Sequence, residues 1–139
     1  MSENTSAADP PHPLGRLLYG GVLAYMAYDG FKHNEGRVEA ARSKGVPVPE
    51  VLVPAVTAML LVANLGVIFW KFPRASAGAI ILFFLGTTPT IHNFWALEGE
   101  ERHGNKINFL KNGALLGCAI MLLAWAAASD GDDGGDDGE

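Results

Sequence analysis

Residues 52–70 read LVPAVTAMLLVANLGVIFW, a stretch without a single charge. A helix needs about 20 mostly apolar residues to cross a bilayer core of about 30 Å. Two more such runs follow, Ala75–Trp95 and Gly113–Ser129, also free of Asp, Glu, Lys and Arg. A fourth, Leu14–His33, is apolar except near its ends, where Arg16, Asp29, Lys32 and His33 stand. Hydrocarbon holds no water to satisfy the backbone, so each run must bond internally as a helix. The expected fold class is all-α: a four-helix transmembrane bundle over residues 14–128. A flexible N-terminal tail at 1–13 and a disordered acidic tail at 129–139 flank it.

The connections carry their own signals. Between the first two spans, Asn34 suits a helix N-cap, Gly45 suits a stop, and Pro47 and Pro49 follow. Val38, Ala40 and Ala41 lie among Glu35, Arg37, Glu39, Arg42 and Lys44. The pattern favours a short interfacial helix with its apolar side toward lipid; the alternative is a solvated loop. Lys71–Arg74 is a tight turn into the third span. Pro89 should kink that span, with Thr87 and Thr88 at hand for the freed backbone groups. Glu98–Asn105 reads as a charged loop, and the fourth helix is expected from about Lys106 to Ser129. Its Gly113 and Gly117 form a small-xxx-small contact motif.

Charge is unevenly placed. The net charge is −5, yet Asp130–Glu139 alone holds six acids and no base. The rest has nine acids against ten bases. That tail also dilutes the mean hydropathy, which is only +0.17. No basic patch interleaved with aromatics supports a nucleic-acid partner. The single cysteine, Cys118, lies in mid-span, so no intramolecular disulfide or CxxC pair can form. It reads as a packing residue. Glu3 and Asp9 make the start acidic rather than basic, unlike a cleavable signal, so the first span is expected to stay as an anchor.

Four antiparallel spans place alternate connections on opposite faces. Asp29, Lys32 and His33 share one stripe at the end of the first span. Thr88, His92 and Trp95, with Asn93 beside them, do so at the end of the third. Asn108, Lys111 and Asn112 open the fourth. All three stripes reach the same face of the bundle. Ionisable groups within spans usually face a bundle interior or polar cavity, and Asp29 in particular wants a partner from Lys32, His33 or Lys111. The candidate ligand-binding cluster is therefore Asp29, Lys32, His33, His92, Asn93, Asn108, Lys111 and Asn112. Three readings compete: a structural network that ties helices together, a pocket for an amphipathic ligand such as a quinone headgroup, or a metal site. His33, His92 and His103 have no H-E-x-x-H-like spacing, so the metal reading is weakest. Trp70, Trp95 and Trp125 fit an interfacial belt, and Asn64 an interhelical hydrogen bond.

The order of these motifs resembles the DoxX family of small four-helix membrane proteins. Arg16 is followed by Asp29-Gly30-Phe31-Lys32-His33, then by Lys44-Gly45-Val46-Pro47-Val48-Pro49. His92-Asn93-Phe94-Trp95 and Asn108-Phe109-Leu110-Lys111-Asn112 complete the series. The acidic tail in addition resembles haloarchaeal sequences. The resemblance implies a compact bundle without a bound prosthetic group. Some members are small subunits of terminal quinol oxidases or thiosulfate:quinone oxidoreductases; others associate with thiol-redox enzymes. Many carry a glutamate in the second span, where this chain has only Asn64.

The expected function is that of a non-catalytic subunit or accessory of a quinone-linked membrane redox system. The alternatives are an assembly protein that docks partners through its helices and a small transporter protomer. No cofactor is expected beyond a quinone contact. Expected partners are membrane lipid, redox-enzyme subunits and further copies of the chain. The expected location is the cell membrane, multi-pass, with both termini outside.

Overall fold

The computed structural model describes residues 9–133. Five α-helices and one short 3-10 turn make up this part. They are α1 (Pro13–Lys32), α2 (Asn34–Ser43), α3 (Pro49–Phe69), α4 (Pro73–Ile91), the 3-10 turn Phe94–Ala96, and α5 (Gly99–Asp133). The long helices α1, α3, α4 and α5 form the expected bundle. α3 sits between α1 and α4, and α5 packs on the far side of α4. α3, α4 with its 3-10 extension, and α5 are long and apolar enough to cross a membrane. α1 is less apolar, but at 20 residues it matches their reach.

Small residues set the closest approach. Gly20, Ala24 and Ala27 of α1 are buried. A Cβ at Gly20 would stand 2.8 Å from Ile68 Cγ1 and 2.9 Å from the Asn64 carbonyl oxygen. The two helices can therefore meet backbone to side chain only because that position lacks a Cβ. On the opposite side of α3, a Cβ at Gly66 would collide with the Ser76 hydroxyl of α4. Between these contacts lies the core: Leu23, Ala27, Leu60, Ala63, Val67, Ile80, Phe84 and Ala119. The outside carries large apolar side chains, among them Leu18, Val22, Val62, Leu82 and Met121. So wide an apolar perimeter matches a surface that lipid covers.

The ends are tied by polar contacts. Arg16 donates to the Ile68 carbonyl at 2.6 Å and to the Pro11 carbonyl at 2.9 Å. Arg74 pairs with Asp130 at 3.1 Å, and the Trp125 indole N–H donates to the Asp9 carbonyl. On the other face Arg42 binds both Glu39 and Glu50. Glu50 foremost, then Glu39, holds the Arg42 guanidinium above its usual range. Within the bundle, Tyr19 of α1 donates to the Leu115 carbonyl of α5 at 2.7 Å.

Several expectations need correction. α2 is a helix, but His33 is its N-cap residue and Asn34 its first residue. Its apolar residues Val38 and Ala41 are buried on the bundle rather than turned to lipid. The third span stops at Ile91, four residues short of Trp95. Pro89 lacks the N–H that would bond the Leu85 carbonyl, and the chain leaves helical geometry at His92. The Thr88-His92-Trp95 stripe is thus broken. Thr87 bonds the Phe83 carbonyl and Thr90 the Gly86 carbonyl. Glu98–Asn105 is not a loop. α5 starts at Gly99, whose φ of +65° makes the turn, and Glu100 and Glu101 favour the positive end of the helix dipole. The same helix continues past Ser129 to Asp133. The remainder of the acidic tail and the first eight residues lie outside the described part. Asn64 donates back to the Leu60 carbonyl of its own helix, not across to another. Gly113 and Gly117 meet no atom within 4 Å of where a Cβ would be, so their motif makes no contact inside the bundle.

The Gly20 contact yields a paired test. Gly20→Val should overpack the α1–α3 contact and cost about 1–3 kcal/mol. Gly21→Val should be tolerated, since its Cβ would meet only Leu17 at 3.8 Å. Thermal unfolding in detergent micelles should separate the two variants.

Candidate functional site

The end of the bundle that carries α2, the 3-10 turn and the start of α5 encloses a cavity of about 440 Å³. Every helix contributes to it. Its walls are apolar: Leu23 from α1, Leu60 from α3, Phe83 and Phe84 from α4, Leu115 from α5. Its polar groups are Arg37 from α2, Thr57, Thr87, His92, Asn108 and Asn112. Thr57 and Thr87 spend their hydroxyl protons on the Val53 and Phe83 carbonyls. The other four are the groups that could meet a ligand. An apolar pocket with a few convergent polar groups is the usual form of a small-molecule site.

Local sequence explains the polar end. α4 ends at Ile91, two residues past Pro89, and His92 leaves helical geometry. Its Nδ1 then lies 3.0 Å from Asn105 Oδ1 of α5. One and two helical turns further along α5, Asn108 and Asn112 reach the same space. Asn112 donates to the buried Thr88 hydroxyl at 3.2 Å. Lys44, just past α2, donates to Asn93 Oδ1 at 2.6 Å and ties the α2–α3 connection to the α4–α5 connection. Arg37 lies across Gly30, where a Cβ would collide with the guanidinium. It donates to the Met26 carbonyl at 3.4 Å and has no carboxylate partner among the described residues. Below the turn, Phe94, Trp95 and Phe109 pack edge to face with centroids 5.4–6.0 Å apart.

Of the eight sequence candidates, His92, Asn108 and Asn112 line the cavity. Asn93 does not line it and is held by Lys44 instead. Asp29 and His33 lie side by side on the exterior, Asp29 Oδ2 3.5 Å from His33 Nδ1, with side chains 45% and 71% exposed. Lys32 rests over the Tyr28 ring at 4.8 Å. Lys111 is exposed. The α1 stripe therefore does not join the other two: Asp29 found its partner on its own helix. Sequence reasoning missed Arg37 and Asn105. Asn105 was hidden in a segment read as a loop, and Arg37 in a helix read as facing lipid. Among the described residues no three His, Cys, Asp or Glu side chains are grouped as metal ligands. A second hollow of about 510 Å³ lies on the outer α3–α4 face near Gly66 and Phe72. Its polar lining residues are Lys71 and Ser76, and the Ser76 hydroxyl is spent on the Lys71 carbonyl.

These placements set the expected stability effects. Asn112→Ala strands the buried Thr88 hydroxyl and should cost about 1 kcal/mol. Lys111→Ala, one position away, should change stability little. Chemical unfolding of both variants in micelles tests the contrast.

Comparison with known proteins gives the site its setting. The DoxX family model matches residues 13–93, which is α1 through α4 together with His92 and Asn93. The inner membrane protein YphA of Escherichia coli (strain K12) is 32% identical over 90 residues, 65% of this chain and 64% of that protein. The chain thus matches less than two thirds of that relative's length. No solved structure matches. With a family match over more than half its length and a helical membrane bundle to fit it, the chain belongs to the DoxX family.

Proposed function

We propose that this protein is a non-catalytic subunit of a quinone-linked membrane redox system, and that its cavity receives a small amphipathic molecule from the lipid. The cavity itself carries this reading. Its apolar walls suit a molecule already dissolved in the bilayer, and its polar end gathers groups from α2, α5 and the end of α4. Nothing in it resembles a nucleophile with its base, so the role is binding and positioning within a larger assembly. His92→Ala and Asn112→Ala should each lower quinol-linked electron flow in membranes about tenfold at unchanged protein abundance, the effect of one lost hydrogen bond at the upper end of the usual range. His33→Ala, outside the cavity, should leave flow unchanged. If flow falls only in proportion to abundance, the cluster is a structural network.

A second reading has its own observation. The Gly113 and Gly117 face of α5 is open, and such faces let another helix approach closely. This favours an assembly role, with a partner subunit or another copy seated on α5. Normal electron flow in the His92 and Asn112 variants, together with lost complex formation in Gly113→Leu, would favour it.

Orientation follows from charge. Lys32, Arg37, Arg42, Lys44, Arg102, Lys106 and Lys111 lie at the cavity end and are all exposed. Arg16, Lys71 and Arg74 lie at the other. Positive residues stay cytoplasmic, which puts the cavity near the cytoplasm and both termini outside. A reporter fused after Glu139 should be active only when it folds outside; activity confined to a cytoplasmic reporter would reverse this orientation.

A further inference from the structure

The hydrogen bonds around His92 fix more than its position. Asn105 Nδ2 donates to the Glu101 carbonyl at 2.9 Å. A carbonyl only accepts, so the amide nitrogen of Asn105 must face Glu101 and the amide oxygen must face His92. The contact between that oxygen and His92 Nδ1 at 3.0 Å then requires the proton on Nδ1. A neutral imidazole with its proton on Nδ1 has a bare lone pair on Nε2. His92 lines the cavity, and Nε2 has no hydrogen-bond partner among the described residues. The cavity is thus lined by a histidine held as an acceptor, beside the amides of Asn108 and Asn112, and on α2 by the Arg37 cation without a carboxylate partner.

We infer that the cavity selects an apolar molecule bearing a hydroxyl proton, such as a phenol or hydroquinone, which donates a hydrogen bond to His92 Nε2, and that Asn105 is the positioning residue that holds His92 in the accepting tautomer. This rests on the cavity being a ligand site. The hydroxyl keeps its proton but is polarised by the bond it donates, so its oxygen gains negative charge, and the Arg37 cation on the cavity wall favours that polarity. A molecule of the same shape without the hydroxyl proton would leave Nε2 buried and unpaired, and an unmet buried polar group is costly. The selection is therefore for the reduced or protonated form of a ligand over its alkylated or oxidised form.

The test uses two probes with the same apolar body, 4-nonylphenol and its methyl ether 4-nonylanisole. Binding is measured to the full chain in nanodiscs, at about pH 8.5, above the ordinary imidazole range. Wild type should bind the phenol about tenfold more tightly than the ether. His92→Ala and Asn105→Ala should erase that preference. Asn105→Asp, whose carboxylate can still accept from Nδ1, should restore it. Nitrogen-15 spectra of wild type should show His92 protonated on Nδ1, with the Nε2 resonance moving when the phenol binds but not with the ether. Those spectra keep the inference testable if a variant fails to fold. Equal affinity for the two probes, or a His92 protonated on Nε2, overturns this inference and leaves the cavity reading standing. Failure of both probes to bind overturns the two together.

Discussion

A polar side chain within a membrane span must find its hydrogen-bond partner inside the protein, and in this bundle most find it one turn back. Thr57 bonds the Val53 carbonyl, Asn64 the Leu60 carbonyl, Thr87 the Phe83 carbonyl and Thr90 the Gly86 carbonyl. Each is an i to i−4 return within its own helix; only the buried Asn64 amide oxygen is left over without a partner among these four residues. Helices satisfied in this way need little from one another beyond packing. That is why small residues such as Gly20 and Gly66 can decide how closely they meet.

The cavity end breaks that habit. There the partners come from different elements: Lys44 to Asn93, His92 to Asn105, Asn112 to Thr88. Two breaks in the helices make the change. α4 ends at Ile91, before the chain reaches His92. Gly99 takes a positive φ, so α5 can begin at once and run back past it. Between those two points the chain makes a single 3-10 turn, braced by Phe94, Trp95 and Phe109. α2 then closes the end with Val38 and Ala41 turned inward. The polar contacts thus gather where the regular helices stop, and the open space lies just inside them.

The bundle was legible because charge-free runs of membrane length leave the backbone one solution. The family resemblance rested on motifs in order and agrees with the match over residues 13–93. Of the cavity's polar lining, His92, Asn108 and Asn112 were legible, because short polar residues are conspicuous at the ends of apolar runs. The errors share one cause. Periodicity gives the face of a residue only while the helix lasts, and it does not say where the helix stops. Extending the third span to Trp95 and starting the fourth at Lys106 each misplaced a polar residue. Asp29 was misjudged for a related reason. Its depth was reckoned along the helix, while its exposure is set by which side of α1 it occupies. Arg37 gave no signal in a run of alternating charges; only Gly30 beneath it marks the place.

α5 has 35 residues, about 52 Å at 1.5 Å per residue. Its charge-free part runs only from Asn112 to Ser129, about 27 Å. A span slightly shorter than the hydrocarbon layer has no length to spare for tilt. α5 therefore has little apolar length in reserve, and bilayer thickness acts directly on it. In a thicker membrane Lys111 and Asp130 are drawn toward hydrocarbon; in a thinner one the turn carrying Asn108 rises further into the headgroups. The hydration of the cavity mouth thereby becomes a property of the surrounding lipid as much as of the protein.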